Sequence, residues 1–335
     1  MGKKILLTGG LGYIGSHTAV ELFHAGFQPI LLDNLSNSRV DVLDRIGEII
    51  QQPLHFYLGD VRDGKILRQI FSEHQIEGVI HFAALKSVSE SVQQPLKYFD
   101  VNVSGLTQLL QVMQESNVKK LVFSSSCTVY GQPTDNWEVS ENTPLQEPMS
   151  PYARTKRMNE EMIQDVCHTG FLSAVILRYF NPVGAHPSGL IGELPLGVPA
   201  NLVPFLTQSV AGIRQPLTVF GNDYPTSDGT CIRDYIHVVD LAKAHVAALN
   251  FNSKEHSPEV FNVGTGKGST VLEVISSFEK TTGLTVPFSI GPRREGDITA
   301  VYANTEKIQR ELNWKSNYCL DDMMLHAWNW QKNQN

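Results

Sequence analysis

Tyr152 and Lys156 stand four residues apart in the segment Ser150-Pro151-Tyr152-Ala153-Arg154-Thr155-Lys156. On a helix that spacing puts both side chains on one face. An ammonium fixed beside a phenol favours the phenolate over the neutral form, whose free pKa is about 10. A tyrosine activated in this way can move a proton near neutral pH. Ser150 and Pro151 have the types of an N-cap and a first-turn residue, so the segment predicts a helix carrying the pair at its front. Taken alone, the same spacing also describes a half-buried tyrosine beside a solvated lysine. The surrounding elements decide between the two.

A glycine-rich turn supplies a second pattern. Thr8-Gly9-Gly10-Leu11-Gly12-Tyr13-Ile14-Gly15 follows an apolar run, and helix-forming residues continue to Gly26, a C-cap type. Gly9, Gly12 and Gly15 depart slightly from the common G-x-G-x-x-G spacing but share its physics. Glycines permit a tight turn and let backbone N–H groups approach a pyrophosphate at a helix N-terminus. Asp33 ends the next apolar run, at the distance expected of a carboxylate that bonds a ribose hydroxyl. There it repels a 2′-phosphate, which favours NAD over NADP, and Arg39 is the nearby cation that works against this preference. Asp60 ends a third run and could bond adenine. Ala83, Ala84 and Lys86 end a fourth, where small residues allow close approach and Lys86 could reach riboses or phosphates. Each would be an ordinary loop residue alone; their shared position after successive strands points to one ligand.

The elements that must position these groups alternate along the first half. Strands are predicted at 4–7, 29–32, 54–58, 78–82, 120–124 and 173–179, with longer amphipathic segments between them, such as 95–116 with Leu106, Leu109, Leu110 and Met113. Near-continuous apolar runs of this kind read as buried parallel strands, and the alternation predicts a Rossmann-type, doubly wound α/β fold. From 181 to 234 the chain is rich in Pro and Gly and reads as loops around one helix at about 202–211. A helix at 239–249 and a strand at 260–263 resemble the first half, so segments near 235–265 are expected to return to the main sheet. Thr270 and Glu273 form a capping-box pattern, and the last helix carries Leu325, Trp328 and Trp330. The simplest division is an NAD-binding domain of residues 1–180 and a smaller C-terminal α/β substrate domain of residues 181–335.

Composition narrows the classes. The chain has 335 residues, 41% apolar and 18% charged, enough for a substantial core and unlike a disordered segment. A net charge of −7 without a basic run argues against a nucleic-acid partner. Cys127, Cys167, Cys231 and Cys319 match no zinc spacing, so no metal is expected and the thiols read as free in a reducing compartment. The N-terminus lacks a signal-peptide layout, and no apolar run approaches the ~20 residues of a membrane span. A cytoplasmic protein without membrane contact is the expectation.

With these residues in place, the chain resembles the extended short-chain dehydrogenase/reductases, and within them the nucleotide-sugar 4-epimerases, over almost its whole length. The specific passages are 8–17 around the glycine turn, His81-Phe-Ala-Ala-Leu-Lys86, Ser124-Ser-Ser-Cys-Thr-Val-Tyr-Gly131, 177–189, Phe220-Gly-Asn-Asp-Tyr-Pro-Thr226, Arg233-Asp-Tyr-Ile-His237 and Pro292-Arg-Arg-Glu-Gly-Asp297. The resemblance implies that Tyr152 is the base, Lys156 its electrostatic partner on the nicotinamide ribose, and Ser126 the serine bridging tyrosine and sugar. It implies cofactor contacts from Tyr13, Ile14, Asn34, Ser36, Asn37, Ser38, Val61, Phe82, Asn102, Ser124, Tyr179 and Phe180, beside the residues above. Asn181, Asn201, Leu202, Phe220, Arg233, Arg294, Asp297 and Val301 would hold a UDP-hexose. Two arginines suit a diphosphate, because guanidinium forks bind phosphate oxygens bidentately. The implied reaction is NAD-dependent interconversion of UDP-glucose and UDP-galactose through a 4-keto sugar. A homodimer is also implied, and the helical segments 95–116 and 151–169 could pair across it.

Three competing readings weaken on particular residues. Related dehydratases and decarboxylases carry an acid beside the catalytic serine or threonine, since elimination needs an extra general acid or base; here those places are Cys127 and Thr128. A non-catalytic NAD-binding sensor on the same fold would have no need of Ser126, Tyr152 and Lys156 together. A protein-interaction role has no support beyond the expected dimer. At Val301, relatives limited to glucose and galactose usually carry tyrosine. The smaller side chain leads to the expectation that UDP-GlcNAc and UDP-GalNAc are also accepted, unless neighbours refill the space.

Overall fold

The computed structural model describes residues 2–133, 136–252, 256–294 and 297–334. The first half alternates as expected: β1 (Lys4–Thr8), α1 (Tyr13–His24), β2 (Gln28–Asp33), α2 (Asp41–Ile50), β3 (His55–Leu58), α3 (Gly64–Glu73) and β4 (Ile76–His81). Next come α4 (Val88–Gln93), α5 (Pro95–Tyr98), α6 (Gly105–Glu115), β5 (Lys120–Ser126), β6 (Glu138–Val139), α7 (Pro151–His168) and β7 (Ser173–Tyr179). The second half holds β8 (Asn181–Val183), α8 (Leu202–Val210), β9 (Leu217–Phe220), β10 (Ile232–His237), α9 (Val238–Asn250), β11 (Glu259–Val263) and β12 (Gly268–Thr270). It ends with α10 (Val271–Thr282), β13 (Phe288–Gly291), β14 (Ala300–Ala303), α11 (Glu306–Leu312) and α12 (Leu320–Lys332).

Seven strands form a parallel sheet in the order β11-β7-β5-β4-β1-β2-β3. Side chains alternate across it, so successive residues enter different cores. Leu7, Leu31, Ile80, Val122 and Leu177 pack on one face with residues of α1 and α9. Leu6, Ile30, Val79, Leu121 and Ile176 pack on the other with residues of α6 and α7. Burying a leucine or isoleucine in this way contributes roughly 1.5–3 kcal/mol. Strand order reverses between β1 and β4, and an open parallel sheet binds ligands in the crevice outside such a point.

A second, smaller sheet runs β12-β10-β14-β6, with β8 added on β10, and β9 pairs with β13 separately. The expectation of loops around a single helix in 181–234 is therefore corrected: β8, β9 and the start of β10 lie there. Strands this short have too few residues to show a period, and they are ordered by distant partners such as β13 and β14. Within 235–265, β11 pairs with β7 and α9 packs on α1, whereas Tyr235–His237 of β10 pair with β8. The run 95–115 is helical, with Ser116 as its C-cap, but Phe99–Ser104 winds as a π-helix between α5 and α6. Thr270 and Glu273 do form the capping box of α10, and Trp330 is buried in α12 while Leu325 stays partly exposed.

Candidate active site

The glycine turn is built by steric necessity. Gly9 has φ +72°, and a Cβ there would lie 2.8 Å from the Ala83 nitrogen, so only glycine lets β1 and β4 close on each other at this end. A Cβ on Gly15 would lie 2.2 Å from the Gly9 carbonyl. Helix α1 starts at N-cap Gly12 with no side-chain cap and no acid in its first turn. The N–H groups of Tyr13, Ile14 and Gly15 therefore open a helix N-terminus suited to a phosphate anion. Tyr13 itself reaches across the crevice and donates to the Gly184 carbonyl (2.7 Å).

Asp33 is buried and already committed. Its carboxylate accepts from Leu11 N–H (3.0 Å), Leu35 N–H (2.9 Å) and Ser38 Oγ (2.7 Å), which fixes the oxygens at the carboxyl end of β2. Asn34 donates to Asp60 (2.8 Å), so the ends of β2 and β3 are joined by side chains. Arg62 holds Asp60 well below the ordinary carboxylate range. Val61 is buried, whereas Ser36 and Asn37 are exposed on the rim. Phe82 stacks obliquely on His245, with centroids 4.7 Å apart, and leads into Ala83 and Ala84. Asn102, in the π-helical turn, is spent on the protein: it accepts from Leu85 N–H (2.8 Å) and donates to Thr155 Oγ1 (3.0 Å). Its place is to pin the loop after β4 to α7. These features fit a dinucleotide laid across the ends of β1, β2, β3 and β4.

Helix α7 begins as the sequence predicts, with Ser150 Oγ accepting from Ala153 N–H (3.2 Å) and Pro151 in the first turn. Tyr152 and Lys156 share its inner face, the ammonium 5.9 Å from the phenol ring centroid. Lys156 donates to the Ser124 carbonyl (2.6 Å), and Tyr179 donates to the Ser124 hydroxyl. Ser126 ends β5 and accepts from Thr128 Oγ1 (3.0 Å). Burial pushes Tyr152 up to about 12, against a hydrogen bond from Ser126 that lowers it. Burial also brings Lys156 down to about 8, with Glu160 pulling the other way. The protein's own groups thus leave the phenol protonated at neutral pH, because desolvation outweighs the Ser126 hydrogen bond. Cys127 is pushed up to about 12 by burial, which suits packing and not nucleophilic chemistry.

Behind the strand end lies a network that the sequence reading missed. Glu160 follows Lys156 by one helical turn and receives Arg178 from β7, at 2.6 Å from Nη2 and 3.0 Å from Nε. Ser125 donates to the same carboxylate (2.5 Å). Tyr130 accepts from Arg178 (3.2 Å) and donates to Asn262 of β11 (2.7 Å). The available signal was Arg178 itself, a charge inside an apolar strand, which demands a buried partner.

The residues expected to hold the substrate gather at the second sheet. Asp297 accepts from Arg294 (2.8 Å) and sits 3.5 Å from Arg233, so two guanidiniums share one carboxylate. The Arg294 guanidinium also lies 5.6 Å from the Phe220 ring centroid. Glu295 and Gly296 of that motif lie outside the described residues. Val301 is paired with Arg233 in register and is buried with Phe180 and Tyr130, which places it between the arginine cluster and the strand ends that carry Ser126. Asn181 opens β8; Asn201 is the N-cap of α8 and donates to Glu193 (3.0 Å) instead of capping, and Leu202 follows it half-buried.

Comparison with known proteins identifies the family. The profile of the NAD dependent epimerase/dehydratase family matches residues 5–264. A UDP-glucose 4-epimerase of Neisseria meningitidis serogroup B is 48% identical, over 99% of this chain and 98% of its own. The crystal structure of a UDP-glucose 4-epimerase from Stenotrophomonas maltophila, with bound NAD and formylated UDP-arabinopyranose, superposes with a TM-score of 0.96 at 49% identity, covering 99% of this chain and 98% of that one. One from Bifidobacterium longum, in complex with NAD+ and UDP, gives 0.95 at 46% identity and the same coverage. The chain belongs to the NAD dependent epimerase/dehydratase family, and within it to the UDP-glucose 4-epimerases.

Proposed function

We propose that this protein interconverts UDP-glucose and UDP-galactose by oxidising and re-reducing C4′ of the hexose, with NAD as resident cofactor. The observation that carries the reading is the convergence of Ser126, Tyr152 and Lys156 at the carboxyl end of β5, beside an uncapped glycine-turn helix and with no acid at positions 127 and 128. A bound NAD would supply the hydride acceptor for oxidation of C4′ and the hydride donor for its re-reduction. Tyr152 accepts the proton of the 4′-hydroxyl, directly or through Ser126, and returns it after the sugar has turned. Lys156, with its ammonium 5.9 Å from the phenol ring centroid, would supply positive charge favouring the phenolate, and a bound NAD+ would add to it. The Ser124 carbonyl at the end of β5 holds that ammonium, and Tyr179 holds the Ser124 hydroxyl. The 4-keto sugar must present its opposite face, so the UDP moiety has to be anchored while the hexose pocket stays loose. Arg233, Arg294 and Asp297 supply the anchor.

In this reading residues 1–180 carry the cofactor and residues 181–335 the UDP-sugar, with β11 and α9 completing the cofactor body. Incubating the purified protein with UDP-galactose, without added cofactor, should give UDP-glucose. Tyr152→Phe should retain UDP binding and lose about 10²–10⁴-fold in turnover; unchanged turnover would remove Tyr152 from the mechanism.

Val301 is the feature behind an expected tolerance of N-acetylhexosamines: its side chain is smaller than a tyrosine and is buried beside Phe180 and Tyr130. Wild type should turn over UDP-GlcNAc, and Val301→Tyr should lose that activity while keeping UDP-galactose conversion. No turnover of the N-acetyl sugar by wild type sinks the idea. A homodimer is supported by the exposed Val92 (62%) and Leu96 (82%) on α4 and α5, which pack against α7. Light scattering at the mass of one chain would exclude it. Among the described residues no helix is long and apolar enough to cross a membrane, and the free thiols support a reducing, cytoplasmic setting.

A further inference from the structure

Glu193 lies between the two sets of residues assigned above and belongs to neither. Its Oε1 accepts from Lys86 Nζ (2.8 Å) and from Asn201 Nδ2 (3.0 Å). Lys86 follows β4 among the cofactor residues; Asn201 begins α8 among the substrate residues. The backbone around Glu193 is fixed independently. Its carbonyl accepts from Trp330 Nε1 (3.1 Å), Gly192 bridges Ala185, and a Cβ on Gly192 would meet the Trp330 ring at 2.5 Å. The side chain can therefore change without releasing the segment. The Glu193 side chain is 9% exposed and that of Lys86 51%. A confined carboxylate thus orders a long, otherwise mobile lysine, which has much rotamer freedom to lose. Its charge also reaches the glycine turn, because it adds to burial in raising the Tyr13 phenol.

We propose that Glu193 is a positioning residue that couples the two sites: by holding Lys86 and Asn201 on one carboxylate oxygen, it makes occupancy of the substrate site secure the cofactor, and the reverse. The inference rests on the assignment of NAD and a UDP-hexose to these residues. Such coupling is reciprocal by linkage, so it can be read from either ligand. It also predicts that neither ligand touches Glu193 directly.

Exchange of bound NAD for labelled NAD, with and without saturating UDP, measures the coupling without turnover. UDP should slow exchange about tenfold in the wild type and less than about twofold in Glu193→Ala. Glu193→Gln keeps an acceptor for Asn201 and loses the ion pair with Lys86; it serves where the alanine variant fails to fold, and its coupling should also fall well below that of the wild type. Coupling of wild-type size in either folded variant overturns the proposal. So does a wild type that converts UDP-galactose but whose NAD exchange ignores UDP. A wild type that neither binds NAD nor converts UDP-galactose would overturn the functional reading, and the inference with it.

Discussion

Two arginine–carboxylate clusters flank the candidate site, and they differ in stoichiometry and exposure. Behind the carboxyl end of β5, one guanidinium meets one carboxylate: the side chains of Arg178 and Glu160 are 7% and 8% exposed, and Ser125 and Tyr130 take up bonding capacity that remains. In front, two guanidiniums share Asp297, and Arg294 is 55% exposed. The first cluster is neutral and saturated, so it can only hold structure. The second has surplus positive charge and unspent donors, as an anion anchor requires. Under the proposed function, the same chemical pair serves structure in one place and ligand anchoring in the other, according to the number of partners.

That contrast can be broken most forcefully at Arg178. Arg178→Met leaves Glu160 buried and uncompensated, which should cost about 3–5 kcal/mol in denaturant unfolding. Replacing both partners, Arg178→Met with Glu160→Leu, should recover much of the loss, since a buried pair often yields to apolar residues of similar volume. A single variant as stable as wild type would show that the cluster is not the saturated unit described.

Lys156 lies one turn from Glu160 and sharpens the comparison by pH. Its ammonium is lowered from 10.5 to about 8 by burial. Between pH 8 and 10 the unfolded chain therefore holds more protons at this site than the folded one, and stability should rise with pH by roughly 2 kcal/mol. Below that window the burial cost is present in full. Lys156→Met should lack this rise, as checked by urea unfolding at several pH values; identical slopes for both proteins would contradict the burial effect.

The smallest effect is expected in front. Arg294→Met should weaken UDP binding about tenfold by calorimetry, in the range of a charge-assisted hydrogen bond, while leaving the melting temperature nearly unchanged, because exposed pairs contribute little to folding. A large melting shift with unaltered UDP affinity would make this cluster structural as well.

Much of this was legible in the sequence where the signal is local. The glycine turn, six of the seven strands of the first half (all but β6) and the N-cap of α7 follow from residue types within a few positions of each other. The seventh strand, β11, could be placed because its apolar run matches the others. The small sheet was not legible: β8, β12 and β14 have three or four residues each, and their pairing joins segments far apart in the chain. Glu193 and Glu160 escaped for a related reason. Each acts through a contact with a residue distant in sequence or on another strand, and an isolated glutamate carries no mark of that. Asn102 shows the converse, since a residue marked by resemblance as lining the cofactor spends its side chain on Leu85 and Thr155.

The route of the chain between its sheets has a mechanical outcome. It runs from β5 in the large sheet to β6 in the small one, back to β7, out to β8, and again from β10 to β11 to β12. Stitches of this kind resist any swinging of one half against the other, and neither half could be excised intact. A rocking protein is therefore a poor candidate for turning the hexose over. Under the proposed function, the rotation would fall to the soft torsions of the sugar's own linkage to the diphosphate, inside a frame that stays still.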